Sequence, residues 1–100
     1  MNQAQFRMLT AAEQSLVVST ETKRIADLDE EALLALHDRV RRARNKYSKL
    51  YRRQAGAQVR TDAARGKASA KNANTATKAE IFEDALARVS RRLAVVAKES

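Results

Sequence analysis

Eight cations stand within fifteen residues, at Arg39, Arg41, Arg42, Arg44, Lys46, Lys49, Arg52 and Arg53, and no acid lies among them. Six of the eight are Arg, whose planar guanidinium makes two parallel hydrogen bonds to a phosphate or carboxylate. The excess continues through Arg60, Arg65, Lys67 and Lys71. Residues 39–74 thus hold twelve Lys or Arg against one acid, Asp62, a net charge of +11, whereas residues 1–38 carry −4 and residues 75–100 carry +1. The overall +8 is therefore concentrated in one stretch. An ordinary solvated helix interleaves Glu with Lys and Arg, because i,i+4 ion pairs stabilise it by a few tenths of a kcal/mol and like-charge pairs cost as much. The chemistry this stretch suits is attachment to a polyanion, with DNA or RNA as the leading partner and an acidic protein surface as the second. Phosphate contacts carry little sequence information and weaken steeply as salt rises.

Other chemistries lack their residues. There is no Cys, and His37 is the only His, so thiol nucleophiles, disulfides and His/Cys metal sites are not expected. No phosphate-cradling or dinucleotide glycine pattern is present, since Gly56 and Gly66 are the only glycines. The acids Asp27, Asp29, Glu30 and Glu31 fit a helix N-terminus better than a cation site. No nucleophile, base and orienting group assemble, so neither enzyme activity nor a cofactor is expected. Tyr51 is a candidate for stacking on a base or bonding a phosphate; Tyr47 falls on an apolar seam and reads as core. No apolar run approaches the roughly 20 residues of a membrane span, and no basic segment followed by an apolar one marks a secretory signal, so a cytoplasmic setting is expected.

The elements that must position these cations are helical. Pro is absent and turn residues are scarce, which argues against a sheet of many short strands. Thr10-Ala-Ala-Glu13 has the spacing of a capping box and predicts a short helix over about 10–18. Phe6, Met8 and Leu9 are placed to pack on a neighbour, and a second short piece near 20–27 would turn Ile25 and Leu28 inward. Asp29 is a suitable N-cap for a long helix from residue 30. In it Leu33, Leu36, Val40, Ala43, Tyr47 and Leu50 step by 3, 4, 3, 4, 3, the heptad spacing of a coiled-coil seam. That helix ends near 54, or near Arg65 with Gly66 as a left-handed C-terminal residue. Residues 66–75, GKASAKNANT, have no apolar face and read as a flexible basic loop. Thr77-Lys-Ala-Glu80 offers another capping box, and Ala79, Phe82, Leu86, Val89, Leu93 and Val96 repeat the same spacing over about 78–98.

The expected fold is all-α: an antiparallel helical hairpin over residues 29–100, preceded by an N-terminal segment, 1–28, whose short helix could complete a three-helix bundle. Charge favours the antiparallel pairing. It sets Glu80, Glu83 and Asp84 beside Lys49, Arg52 and Arg53, and Arg88, Arg91 and Arg92 beside Asp29–Glu31 and Asp38. A two-helix core is thin, so pairing of two copies through the seams stays open.

Arg41-Arg-Ala-Arg-Asn-Lys46 resembles the basic region of basic-leucine-zipper proteins, and Asn45 and Arg53 match that family's Asn-x7-Arg spacing. Ser48 and Lys49 depart from its two Ala positions and no zipper follows, so base reading by Asn45 and Arg53 is not carried over. More broadly, RVRRARNKYSKLYRRQ and KAEIFEDALARVSRRLA, over residues 28–97, resemble small Arg- and Ala-rich helical proteins of actinobacteria. That likeness implies a bacterial cytoplasmic setting and supplies no mechanism; association with nucleoid or ribosome is a separate expectation, in keeping with the basic charge.

Overall fold

A computed structural model describes the backbone of residues 1–58 and 65–99, and the side chains of 1–56 and 71–99. Five helices follow one another: α1 (Gln3–Arg7), α2 (Ala11–Ser19), α3 (Thr22–Ile25), α4 (Glu30–Gln58) and α5 (Arg65–Glu99). α4 and α5 form an antiparallel hairpin, and the three short helices lie against it in a molecule 56 Å long and 24 × 16 Å across. No strand occurs among the described residues.

Side-chain caps start α1, α2 and α4. The Asp29 carboxylate accepts from the Ala32 N–H at 2.8 Å, capping α4 as its type and place require. The Thr10–Glu13 box forms in both directions, at 3.2 and 2.9 Å. A third box, Asn2 with Gln5, starts α1; its Asn-x-x-Gln spacing was available in the sequence and is not among the expectations above.

The two seams meet as their spacing predicts. Leu33, Leu36, Val40 and Tyr47 from α4 are buried against Phe82, Leu86 and Val89 from α5, with Ala43, Leu50, Ala79, Leu93 and Val96 packed around them. Ile81 and Ala85 widen the α5 side, and Leu9, Leu16, Val17 and Ile25 bring the N-terminal segment into the same core. The Tyr47 and Phe82 rings stack nearly parallel, 5.9 Å between centroids.

Two expectations at the far end are corrected. Residues 66–75 are helical, not a flexible loop, and Gly66 lies inside α5 and does not terminate α4. Ala and Lys, both strong helix formers, supply half of GKASAKNANT, and the seam itself runs on through them: Thr75 is 5% exposed and Asn72 lies one heptad step earlier. Thr77 is therefore in a helix interior. Its hydroxyl donates to the Ala73 carbonyl at 3.0 Å, and the Thr77–Glu80 capping box does not form. The continuation is polar and poorly satisfied. The Asn72 Oδ1 and, on α4, the Gln54 Oε1 are buried without a hydrogen-bond partner.

The ion pairs also differ from expectation. Arg44 reaches Glu83 at 3.1 Å, but Arg88 and Arg92 do not seek acids. Arg88 donates to the Thr20 carbonyl and hydroxyl at 3.3 and 2.9 Å, and Arg92 to the Ala26 carbonyl at 3.1 Å. Thr20 and Ala26 end α2 and α3, where free carbonyls and the negative end of the helix dipole attract a cation.

Gly56 has nothing within 4 Å of where a Cβ would stand. Gly56→Ala is expected to raise stability by about 0.5–1 kcal/mol in denaturant titration, because Gly only adds entropy cost inside a helix. Replacing Gln54 and Asn72 together by Leu is expected to add on the order of 2 kcal/mol, since two unpaired buried amide oxygens give way to apolar contact; a lowered midpoint would show that those amides are satisfied in solution.

Candidate nucleic-acid interface

The cations of α4 fall into two groups once their partners are known. Asp38, one residue before the acid-free stretch, accepts from Arg41 at 2.6 Å and Arg42 at 2.7 Å. The Arg41 bond holds the Asp38 carboxyl below its ordinary range, with the nearby charges of Arg42, Arg41 and His37 adding to it against a smaller opposing effect of desolvation. Arg44 is committed to Glu83 and also donates to Asn45 Oδ1 at 3.0 Å, so Asn45 braces a neighbour. By contrast Arg39, Lys49, Arg52 and Arg53 are exposed and make no ion pair among the described residues, and Lys46 is exposed with its ammonium 5.2 Å from the centre of the Tyr47 ring. Lys71 on α5 is likewise exposed and unpaired. Arg65 and Lys67 belong to the α5 backbone; Arg60 lies outside the described residues.

Position on the helix matters more than number. Arg39, Arg42, Lys46, Lys49 and Arg53 step by 3, 4, 3, 4. At 3.6 residues per turn they share a wedge of about 80°, and at 1.5 Å per residue the line they form is about 21 Å long. All five are exposed. Each stands one residue before a seam position, so the burial of Val40, Ala43, Tyr47 and Leu50 holds the whole row along one edge of the hairpin. This stripe was present in the sequence spacing, hidden by the other cations interleaved with it. Tyr51 is 40% exposed but sits about 160° around the helix from the row. It cannot serve a ligand lying there.

The row passes the point where the N-terminal segment is fastened. The Tyr47 hydroxyl donates to Glu13 Oε2, while Glu13 Oε1 accepts from the Thr10 N–H. One carboxylate thus caps α2 and ties it to the hairpin. Burial alone would raise the Glu13 pKa, but the bonds from Tyr47 and Thr10 and the charge of Lys46 outweigh it and leave it lowered. Burial pushes the Tyr47 phenol far above its ordinary value, and the bond to Glu13 and that group's charge push it further. Lys78 brings a second ammonium to 5.4 Å from the Tyr47 ring, a favourable place beside an electron-rich face.

The largest described depression is an open groove of about 590 Å³ edged by Arg24, Leu28, Leu36 and Arg39. Among the described residues no three His, Cys, Asp or Glu gather as metal ligands, and no helix is long and apolar enough to cross a membrane. No family model, curated protein sequence or solved structure matches the chain.

The Glu13–Tyr47 bond contributes to the pH dependence of stability. Glu13, with its folded pKa lowered, contributes stability that is present above its ordinary value of 4.5 and lost as pH falls through the folded pKa. Tyr47, with its folded pKa raised, contributes stability that is present below its ordinary value of 10.0 and lost as pH climbs toward the folded pKa. Tyr47→Phe is expected to cost about 1–2 kcal/mol at neutral pH, as a bond from a buried phenol to a half-buried charged acceptor is removed. The gap between variant and parent should narrow above pH 10 and below pH 4.5. A pH-independent gap in thermal unfolding would dissociate the phenol from α2 docking.

Proposed function

We propose that this protein is a non-catalytic nucleic-acid-binding protein that grips phosphates along one edge of its hairpin. The observation that carries the reading is the exposed row Arg39, Arg42, Lys46, Lys49 and Arg53, four of whose five members make no ion pair among the described residues, while Arg44 is committed across the hairpin to Glu83. Arg52 on α4 and Lys71 on α5 add further exposed charge. The positions of Arg60, Arg65 and Lys67 in the sequence would extend this charge toward the connection between α4 and α5. Leaving so many like charges unpaired raises self-repulsion, which a polyanion relieves by releasing its own counterions. Contacts of this kind orient the protein without reading bases.

A second reading, docking on an acidic protein or a large assembly such as ribosome or RNA polymerase, draws on the groove beside α3. There Leu28, Ala32, Ala35 and Leu36 provide an apolar floor between Arg24 and Arg39. Recovery of one stoichiometric protein partner that survives nuclease treatment would favour it over the first.

In a fluorescence titration against nucleic acid, the logarithm of affinity is expected to fall with the logarithm of salt at a slope of about −2.7 to −4.5, for three to five neutralised phosphates at −0.9 each. Substituting Lys46, Lys49 and Arg53 together by Gln should flatten the slope by about 2.7 units. Arg41→Gln should change affinity by less than about twofold, because Arg41 lies about 120° around the helix from the middle of the row. A flat salt response of the unmutated protein would sink the nucleic-acid reading.

A further inference from the structure

We infer that the cation row is built for a double-helical phosphate backbone in preference to a single strand; this rests on the nucleic-acid reading above and narrows it. The first ground is shape. Arg39, Arg42, Lys46, Lys49 and Arg53 lie on a single uninterrupted helix whose neighbouring seam residues Val40 and Tyr47 are 0% and 5% exposed. The line of charge is straight and cannot curl around a flexible chain. A duplex stays straight over a persistence length of about 150 base pairs and carries a phosphate charge for every ~1.7 Å of its axis. Two stiff bodies then meet with little conformational freedom to lose, whereas a single strand must be extended to follow the same line.

The second ground is the lack of compensation for that extension. Proteins that hold single strands do so with aromatic platforms on which successive bases stack. Of the four aromatic side chains, Tyr47 and Phe82 are buried against each other and Phe6 is packed on the core. Tyr51 alone is freely exposed, and it faces away from the row by about 160°. An RNA or DNA strand lying along the cations would leave its bases in water. Among the described residues the largest depression, the open groove beside α3, meets the row only at Arg39 and does not run along it.

The test compares, at one ionic strength, a mixed-sequence duplex of about 20 base pairs with a non-pairing single strand of the same length. The duplex is expected to bind at least about tenfold tighter, and the triple substitution Lys46→Gln, Lys49→Gln and Arg53→Gln should abolish most of that difference. Tyr51→Ala should leave both affinities unchanged. Circular dichroism of each variant checks that the exposed substitutions leave the helices intact. Equal or tighter binding of the single strand, or a loss on Tyr51→Ala, overturns the duplex preference while leaving nucleic-acid binding standing. Failure of both nucleic acids to bind overturns both.

Discussion

The whole arrangement hangs on how a two-helix seam too narrow to stand well alone acquires a third wall. Van der Waals contact between α4 and α5 buries only one stripe of each helix, and a core of that width is marginal in a small chain. The N-terminal segment closes it with Leu9, Leu16, Val17 and Ile25, but apolar contact does not choose a register by itself. The polar fastenings do: Glu13 on Tyr47, Arg88 on Thr20, Arg92 on Ala26. Each joins a short helix to the hairpin at one residue, and each uses a helix-end group that would otherwise need water or a cap. Glu13 serves α2 twice, as the far half of its capping box and as the acceptor for the phenol.

This fastening also decides where the positive charge is available. Arg88 and Arg92 are spent on carbonyls, Arg41 and Arg42 turn to Asp38, and Arg44 crosses to Glu83. What is left over is not scattered. Four of the five members of the row remain without an ion pair, and the fifth, Arg42, has a side chain 76% exposed despite its contact with Asp38. An exposed pair of that kind contributes little and exchanges readily, so a phosphate can compete for Arg42 far more easily than for Arg44, whose side chain is 28% exposed and aligned across the helix interface.

Much of the fold could be read from spacing because its periodicities are local. The two 3–4 seams, the Asp29 cap and the Thr10–Glu13 box each depend on residues within a turn or two. The misreadings arose where a local signal was overruled by continuation of a longer element. Thr77-x-x-Glu80 has capping-box spacing, yet α5 runs through it because Thr75 and Asn72 extend the seam on a run rich in Ala and Lys. Their polarity disguised them as loop residues. The partners of Arg88 and Arg92 were not legible for a different reason. Charge arithmetic pairs cations with acids, whereas carbonyls freed at the ends of α2 and α3 exist only once those helices stop at Thr20 and Ala26. For the candidate interface, the number of cations was plain in the sequence. Their division into committed and available groups required Asp38 and Glu83 to be placed.

The polar end of the seam gives this division a mechanical side. Toward the connection, leucine and valine give way to Gln54, Asn72 and Thr75, two of them with buried oxygens unpaired. Among the described residues, cohesion between the helices is therefore weaker near Arg52, Arg53 and Lys71, which are exposed, than around Val40, Phe82 and Val89. Repulsion among exposed cations acts on the section of hairpin with the least hydrophobic attraction to resist it. A bound polyanion would neutralise that repulsion and tighten the same section. Were a polyanion bound along the row, its attachment would be linked to local stability through charge, since Arg39 and Arg42 lie beside the well-packed part of the seam and Arg53 beside its polar end.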